Sequence, residues 1–112
     1  MSIEIGKKYF IDGETVEALA YNENKEALLV KEIDGNLVFV LGKFIIKDDD
    51  IVCHNRMGFA VNDVEMIDCI DSYFSDNGDT VITKEKVVDA IRNTYYKIPT
   101  YLAELIADWY MA

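Results

Sequence analysis

"EALLVKEIDGNLVFVL", residues 26–41, sets two runs of apolar and β-branched residues on either side of Asp34-Gly35. Both runs are strand-forming in composition, and an Asp-Gly pair supplies the positive backbone angles that a tight hairpin turn needs. The stretch therefore predicts an antiparallel hairpin. The same grammar extends to both sides of it. "KKYFI" (7–11) ends at Asp12-Gly13, "ETVEALAY" (14–21) at the turn "NENK" (22–25), and "NLVFVL" at Gly42, after which "KFIIK" (43–47) follows. These runs predict an antiparallel meander of about five strands. A further strand is expected in "IVCHNRMGFAV" (51–61), beyond the acidic break Asp48, Asp49, Asp50.

After residue 61 the apolar period changes from two to three and four. Asn62, with Glu65 three residues later, has the spacing of a reciprocal N-terminal cap. The helix it opens would bury Met66, Ile67, Ile70, Tyr73 and Phe74. A second helix is expected after Thr83, with Val87, Val88, Ile91 and Thr94 or Tyr95 inward. A third follows Pro99 with the stripe Leu102, Leu105, Ile106, Trp109. The plan is α+β in one domain over residues 1–112, mainly β over 1–61 and mainly α over 62–112, with three helices packed on the sheet.

A chain of 112 residues, 51% hydrophobic, is long enough to bury a core without metals or disulfides. Its 21 acids against 11 bases, a net charge of -10, argue against direct contact with nucleic acid or an anionic membrane. The balance points to basic protein partners. Two cysteines, Cys53 and Cys69, are too few for a disulfide framework, and "MSIEIGKKYF" lacks the apolar core of a secretory signal. The expectation is a soluble cytoplasmic protein with reduced thiols.

"FSDNGDTVITKEKVVDAI", residues 74–91, invites comparison with a calcium-binding loop, which needs oxygen ligands at its first, third, fifth and twelfth positions and glycine at its sixth. With Gly78 sixth, Tyr73 is first and Lys84 twelfth. With Ile82 eighth, Thr80 replaces the glycine and Lys86 the final acid. With Glu85 twelfth, Phe74 is first. No register fits, so "SDNGD" reads as a helix stop at Gly78 before the Thr83 cap, and only weak, irregular calcium binding at Asp76 to Asp79 stays open.

Cys53 and His54 are adjacent, and in a strand they point to opposite faces, so they would not act as a thiol-imidazole pair. With Cys69 they supply at most three zinc ligands, without paired spacing. Phosphate-loop, nucleophile-elbow and metalloprotease motifs are absent. No cofactor is expected, and the chain reads as a non-enzyme.

Two surfaces remain. Between Asp63 and Asp79 stand Asp63, Glu65, Asp68, Asp71, Asp76 and Asp79, with no Lys, Arg or His among them. Glu65, Asp68 and Asp71 fall opposite Ile67, Ile70 and Phe74 on a helical wheel, rising about 4.5 Å apart. Phosphates along a DNA strand rise about 3.4 Å apart, so the row imitates them loosely. In the aromatic tail, Tyr96, Tyr101 and Tyr110 are hard to bury together with Trp109, and one of them would reach a partner or a second copy of the chain.

In size, charge and lack of motifs the chain resembles the small acidic inhibitors encoded by phages and mobile elements, among them anti-CRISPR proteins and other DNA mimics. That resemblance implies that Glu65, Asp68, Asp71, Asp76 and Asp79, with Asp48, Asp49 and Asp50, occupy a basic nucleic-acid channel of a host nuclease. Inhibition would then be by competition. One alternative is a structural or regulatory module that homodimerises through its aromatic C-terminal helix. A second is a small enzyme or ligand binder using Cys53 and His54.

Overall fold

A computed structural model of the chain describes residues 3–78 and 80–112, with the side chains at 53, 54 and 58–60 outside the described set. Five strands come first: β1 (Lys8–Ile11), β2 (Glu14–Asn22), β3 (Ala27–Glu32), β4 (Asn36–Lys47) and β5 (Asp50–Asn62). Three helices follow: α1 (Asp63–Asp76), α2 (Lys84–Thr94) and α3 (Thr100–Met111). The α+β plan and its order are as expected.

Consecutive strands pair antiparallel, and β1 also meets β5, closing the meander into a barrel. Direction alternates along a meander, so the first and fifth strands must run parallel where they touch. They do, through Phe10 opposite Asp50, and the Phe10 amide donates to the Asp49 carbonyl at 2.9 Å. Closure removes the open edges that an unclosed sheet would present.

The turns sort by local chemistry. Asp12 and Gly13 both take positive φ, 51° and 80°, in a two-residue hairpin. At Asp34-Gly35 only the glycine does, at φ 93°. Residues 33–35 form a three-residue connection there, and the Gly35 amide donates to the Glu32 carbonyl at 2.9 Å. This second turn is therefore one residue longer than the expected tight hairpin. Gly42 is not a turn: β4 runs through it, and the pairing with β5 shifts between Leu41 and Phe44, which is a bulge. "NLVFVL" and "KFIIK" are thus one bent strand, and residues 50–62 supply the fifth. The acidic break is itself a two-residue hairpin, with Asp48 and Asp49 at φ 53° and 66° between the partners Lys47 and Asp50. Aspartate is among the few side chains that tolerate this region.

The paired segments 27–30 of β3 and 37–40 of β4 are buried on both faces. Leu28, Val30, Val38 and Val40 join Tyr9, Ile11 and Ile51 in one core, inside the barrel. Their alternate neighbours Ala27, Leu29, Leu37 and Phe39 join a second core with the helices. Into that layer α1 sends Met66, Ile70 and Phe74, α2 sends Val87, Val88 and Ile91, and α3 sends Leu102, Leu105 and Ile106. Trp109, Tyr73 and Tyr95 are half-buried at its margin. Of the alternatives Thr94 and Tyr95 it is Tyr95 that turns inward, and one inward assignment changes: Ile67 is 37% exposed. With buried positions at 66, 70 and 74, residue 67 lies well off the centre of the buried stripe.

Side-chain caps form at Asn62 and Thr83, the first of them in one direction of the expected reciprocal pair, and α3 starts at Pro99 without one. The Asn62 carboxamide accepts from the Glu65 amide at 2.8 Å, and the Thr83 hydroxyl accepts from the Lys86 amide at 3.3 Å. Gly78, at φ 63°, stops α1. Among the described residues no helix is long and apolar enough to cross a membrane.

The β3–β4 turn is fastened to the start of α1, because the Asp63 amide donates to the Gly35 carbonyl at 3.0 Å. A Cβ at Gly35 would stand 3.0 Å from the Asp63 carboxylate and would be held at φ 93°. Gly35→Ala is therefore expected to destabilise the fold by about 1–2 kcal/mol, read as a lower urea midpoint at unchanged slope.

Candidate functional site

α1 continues from the end of β5 and packs beside α2 with one stripe buried in the shared core, which leaves its other side to solvent. Glu65, Asp68, Asp71 and Asp76 are all exposed there. The helix carries no basic residue in its last turn, and Asp63 and Glu65 occupy its first, where a carboxylate complements the helix dipole. Asp63 pairs with Lys31 at 3.4 Å. Glu65, Asp68 and Asp76 make no ion pair among the described residues. Asp79 lies outside those residues, and with it any irregular calcium site at 76–79.

Asp71 has a different environment. Its carboxylate accepts from the Tyr110 hydroxyl at 2.5 Å, joining the end of α3 to the middle of α1. Donation to Asp71, followed by burial, pushes the Tyr110 phenol up to about 12. Tyr110 is half-buried and engaged within the molecule. Tyr101 is also half-buried against the helix core, with the Lys25 ammonium 6.0 Å from its ring centroid. Only Tyr96, 69% exposed in the connection between α2 and α3, stands open to solvent. Tyr101 and Tyr110 lie near opposite ends of α3, about 13 Å apart along its axis, so the three tyrosines do not gather into one surface. The apolar stripe of α3 is buried in the chain's own core, and a homodimer through that stripe would need the helix layer to open.

Asp48, Asp49 and Asp50 are not brought to the α1 face. They sit at the β4–β5 hairpin, and α1 begins at the other end of the 13-residue β5. Asp49 is engaged there by the Lys7 ammonium at 3.0 Å, and that contact pushes the Lys7 ammonium up.

The side chains of Cys53 and His54 lie outside the described residues. Cys69 is a half-buried free thiol that donates to the Thr94 hydroxyl at 3.3 Å, on the α1–α2 contact. Among the described residues no three His, Cys, Asp or Glu side chains converge as metal ligands. On the barrel, a groove of about 620 Å³ beside the β4 bulge is lined by Tyr21, Phe44, Ile45 and Val52, with Glu23, Glu26 and Lys43 as its charged groups.

Two features of the α1 side carry no local sequence signal. The Tyr110–Asp71 bond joins residues 39 apart, which no local signal marks. The exposure of Val64 and Ile67 depends on how far the helix is rotated against the core. Comparison with protein-family models, curated proteins and solved structures finds no match to this chain.

The Tyr110 phenol has a raised pKa in the folded chain, so the bond stabilises the fold fully below the unfolded tyrosine value near 10 and is lost as pH rises through about 12. Tyr110→Phe is expected to cost about 1 kcal/mol at neutral pH. In denaturant titrations the deficit should shrink above about pH 10 and vanish near pH 12.

Proposed function

We propose that this chain is a non-catalytic protein-binding module that meets a basic partner through the outward face of α1. The observation that carries the reading is the exposure of Glu65, Asp68 and Asp76 on a helix whose opposite stripe is fixed in the core, with no ion pair to them among the described residues. Charges left in this state raise the encounter rate with a basic surface and orient the approach. Keeping them so close together costs helix stability by a few tenths of a kcal/mol per pair.

The finer proposal, in line with the resemblance to acidic inhibitors, is that the partner is a host nuclease and that α1 occupies its nucleic-acid channel. Inhibition is then competitive, and no bond is made or broken. From Glu65 to Asp76 the helix rises about 16 Å, a length over which one DNA strand carries about five phosphates. α1 offers four carboxylates over that span. The imitation is one of charge sign and rough spacing.

The test is binding to a basic protein partner captured from the native host, measured at low and high salt. Wild-type affinity should fall steeply with salt, and the triple variant Glu65→Lys, Asp68→Lys, Asp76→Lys should bind about 100-fold more weakly at low salt. Unchanged binding by the triple variant contradicts the reading. If the partner is a nuclease blocked at its channel, added duplex DNA should displace the chain competitively.

A further inference from the structure

The α1 face is not purely acidic. Val64 is 61% exposed and Ile67 37%, and three-residue spacing puts them on neighbouring parts of the helix surface. Ile33, 93% exposed, sits in the β3–β4 turn, which the Asp63–Gly35 hydrogen bond holds against the first turn of α1. Each of these apolar residues is followed at once by an exposed acid: Ile33 by Asp34, Val64 by Glu65, Ile67 by Asp68. Val64, Glu65, Ile67 and Asp68 therefore share the first two turns of α1, and the turn carrying Ile33 and Asp34 is joined to them by backbone, with Ile33 bordering a groove that Lys8 and Lys31 also line.

An aliphatic side chain left this far in water forgoes the gain of burial, about 25 cal/mol for each Å² of apolar surface covered. A partner that offered only Lys and Arg would neutralise the acids and leave Ile33, Val64 and Ile67 uncovered. A second copy of this chain would bring acid against acid at a net charge of -10 each, and an anionic membrane would be repelled in the same way.

We infer that the surface formed by the β3–β4 turn and the first two turns of α1 receives a basic amphipathic helix of a partner protein. Apolar residues on one face of that helix cover Ile33, Val64 and Ile67, while flanking Lys or Arg meet Asp34, Glu65 and Asp68. The inference rests on the proposed role of α1 and adds the shape and chemistry of what binds there. It also predicts that binding does not vanish at high salt, since the apolar part of the contact is unscreened.

Two synthetic peptides test it against the full chain: one with Leu and Lys at helical spacing, and one of the same composition scrambled to spread the leucines round the helix. Fluorescence anisotropy should show the amphipathic peptide binding about tenfold more tightly than the scrambled one. Val64→Ser with Ile67→Ser should abolish that preference and leave the salt-dependent remainder, and Ile33→Ser alone, in an exposed turn, should reduce it. Equal binding of the two peptides by the wild type, or a preference that survives all three serine substitutions, overturns the inference. Glu65→Lys with Asp68→Lys should weaken both peptides alike; if it weakens neither, the acidic-face function itself fails, whatever the apolar variants do.

Discussion

The β3–β4 hairpin is apolar on both of its faces, and the rest of the molecule is arranged to cover them. Leu28, Val30, Val38 and Val40 need a cover on one side, and Leu29, Leu37 and Phe39 need one on the other. The first side is covered by curling the meander until β5 meets β1, so that the barrel fills its own interior. The second is covered by the helices. A hairpin with one polar face would need only one of these two covers.

This demand for a second layer also determines what the surface shows. α1 buries Met66, Ile70 and Phe74 in the core between the helices and the barrel, packing beside α2 while α3 lies on β2 and β3, so Glu65, Asp68 and Asp76 face outward. The Asn62 cap and the Asp63–Gly35 bond fix where the helix begins, and Tyr110 ties its middle to α3. The acids are thus held on a rigid scaffold, which reduces the ordering cost of binding. Most of the ion pairs elsewhere, such as Lys84–Asp108 at 2.9 Å, lie at exposed positions where solvent and salt leave each contributing little to stability. Stability comes from the two apolar layers.

What could be read from the chain is what depends on neighbours in sequence. Asp12-Gly13, the Asn62 and Thr83 caps and the Gly78 stop are each decided within four residues, and each is found where its chemistry puts it. Closure of β1 on β5 depends on strand number and curvature, so the runs do not reveal it individually. Gly42 carries the same positive φ as a turn glycine but serves a bulge, a distinction set by its partner strand. The acidic side of α1 was legible from helical periodicity. The separation of Asp48, Asp49 and Asp50 from it was not, because it depends on the unbroken length of β5. Ile67 marks the limit of a wheel, whose rotation against the core is set by packing of Met66, Ile70 and Phe74.

The outward side of α1, with the β3–β4 turn beside it, is the surface we propose for a basic partner. Backbone amide NMR of the full chain during titration with a basic amphipathic peptide tests it most directly. The account predicts that the shifted amides cluster at residues 33–35 and along Val64, Glu65, Ile67 and Asp68, while those of the barrel interior and the β4–β5 hairpin stay in place. Shifts centred on Asp48 to Asp50, or spread evenly over the acidic surface, would contradict it.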